Sequence, residues 1–449
     1  EPSMEADSWN RQTIYYRTLN IKTMNLKIRL AVMNFLEFAV WGAYLTSMGR
    51  YLGDVGMGGD IGFFYSMQGV VSIFMPALIG IIADRWLQAQ KMLGLCHFIA
   101  GAFMILLATY CNHVGWEHLN RAVVFSLYSV SVAFYMPTIA LSNSVAFNAL
   151  QKADMDTVKI FPAIRVFGTI GFIIAMWFVD IMGYEVDERQ FMTSGALGIL
   201  LFLYSLTLPK CAIIKDNTKN KSVYDALGFS AFKLFKQKKM ALFFIFSMML
   251  GVSLQITNGF ANPFISSFAS MPEYADTFGV QHTNILISLS QISEACCILL
   301  IPFAMKKFGI KNVMLIAMVA WVFRFGLFGL GNPGDGVWMF ILSMLVYGVA
   351  FDFFNISGAF FVDMNTDPSM RSSAQGLFML MTNGIGATFG TLAAQEVVNQ
   401  FTTTKDFGEY SFIVGDWSTC WFIFAAYALF VAVTFAFVFR PKNIKAYDR

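Results

Sequence analysis

Val337-Trp-Met-Phe-Ile-Leu-Ser-Met-Leu-Val-Tyr-Gly-Val-Ala-Phe-Asp-Phe-Phe-Asn-Ile-Ser-Gly-Ala-Phe-Phe-Val362 carries one charged side chain, Asp352, in its whole length. A helix rises about 1.5 Å per residue, so this run is long enough to cross the ~30 Å hydrocarbon core of a bilayer. It is not alone. Similar apolar runs occupy 28–50, 61–83, 91–110, 120–144, 161–182 and 190–208. After a polar break come 240–268, 283–305, 312–331, 337–362, 372–398 and 413–440. The composition agrees: 57% of the 449 residues are hydrophobic and only 13% charged. Soluble domains carry about 25% charged residues, so this chain lacks the means to cover a water-facing surface. The 48 Phe and 27 Met fit helix packing in lipid. The expected fold is an all-α polytopic membrane protein of twelve transmembrane helices in two six-helix pseudo-repeats.

Lys and Arg set the orientation, because basic residues stay on the cytoplasmic side. Of 31 basic residues, 20 fall in the internal loops and carboxyl-terminal tail if the amino terminus is inside. The external loops then hold four: Arg50, Arg121, Arg189 and Lys405. Five precede or open the first helix, and Arg165 and Arg324 lie within helices. Both termini are therefore expected in the cytoplasm. The divisions are a disordered extension at 1–23, a six-helix bundle at 24–209, a basic linker at 210–239, a second bundle at 240–440 and a tail at 441–449. The first 23 residues lack the apolar core of a signal peptide. The linker carries Lys210, Lys215, Lys219, Lys221, Lys233, Lys236, Lys238 and Lys239 against Asp216 and Asp225. That suits a topological anchor with some contact to anionic lipid. It gives no reason to invoke nucleic acid. The six cysteines show no metal-ligand spacing, and Cys111 with Cys420 is the one pair expected on the same outer side.

The two sets of helices echo each other. Gly80-Ile-Ile-Ala-Asp84-Arg85-Trp86 stands between helices two and three, and Met305-Lys-Lys-Phe-Gly309-Ile-Lys311 between helices eight and nine. Short basic turns at matching positions are what parallel repeats predict. The first resembles the loop signature of the major facilitator superfamily, which makes Gly80, Asp84 and Arg85 a gating motif. It departs from the signature at Leu87, where a Gly is usual.

Charge at a helix centre costs at least about 2.5 kcal/mol, so each such residue needs a partner, a cavity or a task. The candidates are Glu37, Arg165, Glu294, Arg324 and Asp352. On helix seven, Gln255, Asn258 and Asn262 share a face. They suit either a ligand's hydroxyls and ring edges or amide bonds between helices. Gln291 and Glu294 share a face of helix eight, where the acid can take a proton, bind a ligand or pair with Arg. Tyr347, Phe351 and Asn355 form a stripe on helix ten with Asp352 beside it. An aromatic stripe alone is usually packing; a carboxylate beside it points to a planar polar ligand. Arg165, Thr169 and Phe172 share a face of helix five, although Arg165 can also snorkel to the interface. Glu37 is a proton site or a structural partner. Arg324 is expected to neutralise an acid across a helix interface. Pro76, Pro137, Pro263 and Pro302 imply kinks.

Phe161-Pro-Ala-Ile-Arg-Val-Phe-Gly-Thr-Ile-Gly-Phe172, Leu254-Gln-Ile-Thr-Asn258, Ser290-Gln-Ile-Ser-Glu294, Gly309-Ile-Lys-Asn-Val313, Phe351-Asp-Phe-Phe-Asn-Ile-Ser-Gly358, Ser373-Ala-Gln-Gly376 and Met381-Thr-Asn-Gly384 carry a family resemblance. In this order they closely resemble bacterial nucleoside–proton symporters of the major facilitator superfamily. The resemblance runs from Met24 to about Arg440. It implies proton-driven uptake of a nucleoside such as uridine or adenosine across the bacterial cytoplasmic membrane, by a monomer with the proton as coupling ion and no cofactor. It implies a cavity lined by Arg165, Thr169, Phe172, Gln255, Asn258, Gln291, Glu294, Tyr347, Phe351 and Asp352. Asp352, Glu294 and Glu37 are the proton-coupling candidates. Glu37 is itself a departure, because Gln is usual there. A sugar carrier is the rival reading. A nucleoside sensor would need a signalling domain, and an enzyme a motif such as His-Glu-x-x-His; the spans contain neither.

Overall fold

The apolar runs fold as long helices because nothing in lipid can satisfy a backbone except its own hydrogen bonds. The computed structural model describes residues 24–211, 229–367, 371–408 and 410–439. The expectations for 1–23, for most of the linker and for 441–449 lie outside the described residues. The amino-terminal set comprises α1 (24–42), α2 (Met48–Asp54), α3 (Ile61–Arg85), α4 (Ala89–Val114), α5 (Arg121–Lys152), α6 (Thr157–Ile181) and α7 (Arg189–Ser205). The carboxyl-terminal set begins with α8 (Lys238–Leu254), α9 (Ile256–Ser267), α10 (Phe278–Gln281), α11 (Thr283–Leu330) and α12 (Val337–Met364). It continues with α13 (Arg371–Met379), a π-helical turn (Leu380–Gly386), α14 (Ala387–Phe401) and α15 (Trp417–Val438). Among the described residues, nine helical stretches are long and apolar enough to cross a membrane.

The helices break at places other than the prolines. Pro76, Pro137, Pro263 and Pro302 all lie inside continuous helices. The breaks come at 43–47, at Gln255 between α8 and α9, in the π turn, and at Gly309. Gly309 has φ 77° and ψ 159°, a conformation open essentially to glycine alone. It turns the chain within one residue, so α11 is two helices joined without a loop. The expected gating loop is shorter than the sequence suggested: α3 runs on through Gly80, Asp84 and Arg85, and only Trp86–Gln88 separate it from α4. Likewise α8 starts at Lys238, so the last two lysines assigned to the linker are helical. The preceding 3-10 helix Phe229–Lys236 packs Ala231 and Leu234 into the core.

The fold is not wholly α. Strands β1 (Thr402–Asp406) and β2 (Ser411–Gly415) form an antiparallel hairpin with Thr404 opposite Ile413. The β-branched run Thr402-Thr-Thr404 and the left-handed Gly408 (φ 101°) favour it. The last helix therefore starts at Trp417 rather than 413. Asp416 caps it, accepting from Thr419 N at 3.0 Å.

Glycines make the closest approaches, both within a set and between the two. A Cβ on Gly171 would lie 2.1 Å from Phe35 O, and one on Gly42 2.4 Å from Phe172 O, so α1 and α6 touch backbone to backbone. Between the sets, Gly49 meets Gly259 and Gly62 meets Thr391 in the same way. The hydrogen bonds that cross between the sets, among the described residues, involve only 46–66 and 177–185 on one side and 262–288 and 388–411 on the other. These segments lie toward the end of the molecule that carries the hairpin, called the far end here. All six cysteines are free; five are buried, and Cys296 is exposed on the apolar flank beside Ile298 and Leu299.

Candidate functional site

Helix α12 supplies the centre of the site. Tyr347 and Phe351 stack with centroids 5.5 Å apart and 16° between planes. Trp321 closes one side, edge-on to Tyr347 at 6.0 Å. Tyr347 is buried, while Phe351 keeps part of its face open. One step around, Asp352 is buried and its Oδ2 has no hydrogen-bond partner. Asn355 Oδ1 and, from α11, Gln291 Oε1 are also buried and unmatched. A buried acceptor left unpaired costs about 1–3 kcal/mol, and these three, on the adjacent helices α11 and α12, are free to meet a ligand with several donors. Glu294 is half-buried and makes no hydrogen bond among the described residues.

The amino-terminal set contributes α6. The Arg165 guanidinium lies 3.8 Å over the Phe38 ring, in electrostatic range of Glu294, Tyr135, Glu37 and Asp352. It is thus the basic group that both acids of the opposite set sense. Thr169 stands one turn further along, half-buried, and Phe172 is buried against Trp41 at 6.2 Å and 87°. Trp41 escaped the sequence reading. Its indole N–H is buried without a partner, but a lone Trp in an apolar run gives no signal.

Several expectations are corrected. Gln255 and Asn258 stay together, with Asn258 Nδ2 donating to Gln255 Oε1 at 2.8 Å. Asn262 does not join them. The helix is broken at Gln255, and Asn262 turns into the far-end seam, donating to Glu185 Oε2 at 3.0 Å and Asn284 Oδ1 at 3.1 Å. Arg324 has no carboxylate within ion-pair range among the described residues. It donates to Ser343 O at 2.9 Å and Ser290 Oγ at 3.3 Å and lies 4.5 Å over the Tyr347 ring, so it braces the aromatic stack from behind. Glu37 is fully buried within the amino-terminal set, 2.7 Å from His97 Nε2 and accepting from Thr138 Oγ1 at 2.5 Å. Cys111 and Cys420, which the sequence puts on one side without calling for a bond, are both free thiols. Asp84 and Arg85 close α3, and a Cβ on Gly80 would meet nothing within 4 Å. A hollow of about 280 Å³ at the far end, lined by Tyr51, Asp54, Cys111, Glu188 and Tyr410 among others, includes none of these residues.

The residue pattern and the fold both have known counterparts. The family model described as nucleoside H+ symporter matches residues 24–444. The xanthosine permease of Escherichia coli is 44% identical over 94% of this chain and 99% of its own length. The nucleoside permease NupG of E. coli is likewise 44% identical, covering 94% and 98%. A crystal structure of NupG superposes with a TM-score of 0.82 at 43% identity, over 93% of this chain and all of that one. The fold alone is shared with an inward-open structure of the E. coli xylose transporter XylE, at 14% identity and a TM-score of 0.62 over 94% of this chain and 98% of that one. With these matches running nearly end to end, the chain is a multi-pass transporter of the bacterial inner membrane and belongs to the nucleoside–H+ symporter family.

Proposed function

We propose that this symporter carries nucleosides inward through a central site built from α6, α8–α9, α11 and α12, by rocking of two six-helix bodies, 24–209 and 240–440. Twelve spans support that division. Nine stretches qualify outright, the reversal at Gly309 makes two of one, and 24–54 with Arg189–Ser205 complete the number. Both termini are then cytoplasmic, as the Lys and Arg bias requires, and the far end faces outward. The hydrogen bonds that join the two bodies at the far end support a state closed on that side. The working unit is a monomer in contact with membrane lipid, with the proton as coupling ion and no cofactor.

The observation that carries the site is the unmatched Asp352 Oδ2 beside the stacked Tyr347 and Phe351. The open face of Phe351 takes the base. Gln255, Asn258 and Gln291 read ribose hydroxyls and base edges, which are mixed donors and acceptors as amides are. Asp352 and Glu294 accept hydroxyl protons and carry the coupling proton, with Glu37 a further coupling candidate. Arg165, Thr169 and Phe172 close the site from the other body, and Arg165 stabilises the acids once they are deprotonated. Helix α3 ends in Gly80, Asp84 and Arg85 at the inner gate. Uptake of labelled uridine, adenosine, xanthosine and a pentose into proteoliposomes with an inward proton gradient tests this reading. Accumulation of nucleosides and not of the pentose is expected; the reverse order would assign the site to a sugar.

A further inference from the structure

The seam at the far end holds a titratable cluster that the central site does not use. Asp180, near the end of α6, and Glu185, in the turn after it, both reach across to the start of α11. Asp180 Oδ2 accepts from Ile285 N and Glu185 Oε1 from Asn284 N, each at 3.1 Å. These are N–H groups that a helix start leaves free, at the end whose partial positive charge favours anions. The remaining oxygens are also held: Asp180 Oδ1 lies 2.6 Å from His282 Nδ1, and Glu185 Oε2 accepts from Asn262 Nδ2 at 3.0 Å. Asn284 is fully buried, takes a bond from Thr46 Oγ1 at 2.9 Å, and leaves its own Nδ2 unmatched. The two carboxyl groups also lie near enough for the charge of Asp180 to act on Glu185. Two acids held this close favour a state in which one of them carries a proton.

We propose that Asp180, Glu185 and His282 form a proton-binding latch that holds the outer gate shut when loaded and frees it when the proton leaves. The word outer rests on the orientation proposed above; the latch itself does not. Burial, then the neighbouring Asp180 charge, push the Glu185 carboxyl up to about 8. Once the seam opens to water it returns to an ordinary value near ~4.3. The sign follows. The closed form holds the proton more tightly, so closure is strongest in acid. It weakens as pH rises above the ordinary carboxylate range, and the advantage is gone above about 8. Two adjacent charged carboxylates then repel across the seam. The other charged groups near Glu185 leave this sign intact. Arg50 on α2 is within its electrostatic range, and Arg189 is paired with Asp187 on the following turn. His282 Nδ1 faces Asp180 Oδ1 at 2.6 Å and ties the start of α11 to the end of α6.

Spin labels at His118→Cys and Asp335→Cys, on exposed outer loops of the two sets, read the gate as a distance in full-length protein in nanodiscs. Between pH 5.5 and 8.5 the open fraction should rise roughly tenfold or more, since each unit of pKa separation is a factor of ten. Glu185→Gln, which mimics the protonated acid, should stay closed throughout. Asp180→Asn, kept as a second variant should the first fail to fold, should shift the response to lower pH and shrink it. A wild-type distance that ignores pH, or a folded Glu185→Gln that responds as the wild type does, overturns the latch. Uridine binding measured on the same samples separates the two readings, because its absence removes the nucleoside site and leaves the distances to decide the latch. An impermeant thiol reagent reaching the label sites only from the cytoplasmic side would reverse the orientation alone.

Discussion

Single side chains decide what this site can hold. Phe351 keeps a face open while Tyr347 covers the other. Phe351→Ala is expected to weaken uridine binding by about 1–3 kcal/mol, the scale of base–aromatic stacking; an unchanged dissociation constant in a calorimetric titration would reduce the ring to packing. Asp352→Asn keeps the shape and removes the titratable group. It should retain some nucleoside exchange but lose concentrative uptake under a pH gradient, and wild-type accumulation in proteoliposomes would take the coupling role from it. The sequence exposed these residues because lipid makes a buried acid or amide conspicuous. It could not say which of them look at each other. Asn262 shares helical phase with Gln255, yet the break at Gln255 sends it to Glu185, 77 positions away in the chain. Glu37 reads as a proton site or a structural partner, and only the fold names His97 as the group opposite it. Periodicity fixes a residue on its own helix and is silent about the helix across from it.

At the scale of elements, the hydropathic runs mark nearly every span, since a bilayer imposes one length and one composition on all of them. What they hide is where helices stop being regular. Prolines were the obvious suspects, and the helices pass through them, as membrane helices can when neighbours re-satisfy the freed carbonyls. The irregular points are instead Gln255, the turn at 43–47, Gly309, and a π turn that contains Gly384 and Gly386. Gly309 can be checked directly. Gly309→Ala puts a Cβ on a backbone at φ 77°, at a cost of about 1–3 kcal/mol. A clear fall in melting temperature is expected, and an unchanged one would mean that the reversal re-forms elsewhere. The β hairpin was invisible for a different reason. Only Gly415 and Asp416 separate its apolar Phe412-Ile-Val414 from the apolar run of α15.

Across the whole molecule, the seam between the two sets is stitched at one end only among the described residues. Gln395 is a principal stitch: its Oε1 accepts from Gly62 N at 2.6 Å and its Nε2 donates to Gly58 O at 3.1 Å. Gln395→Ala leaves both backbone groups unanswered. It should lengthen the far-end loop-to-loop distance and speed uridine exchange, while a distance distribution like that of the wild type would assign closure to the packed glycines instead. The cysteines carry one last consequence. Five are buried, and the sixth, Cys296, opens onto hydrocarbon beside Leu299. A thiol must ionise in water to react, and among the six only Cys111 borders the far-end hollow. The protein therefore offers polar alkylating agents one native thiol near water in this state. With Cys111 replaced by Ser, a single cysteine introduced along the path becomes the one address such an agent can find, and its reaction rate a clock for how often each side opens.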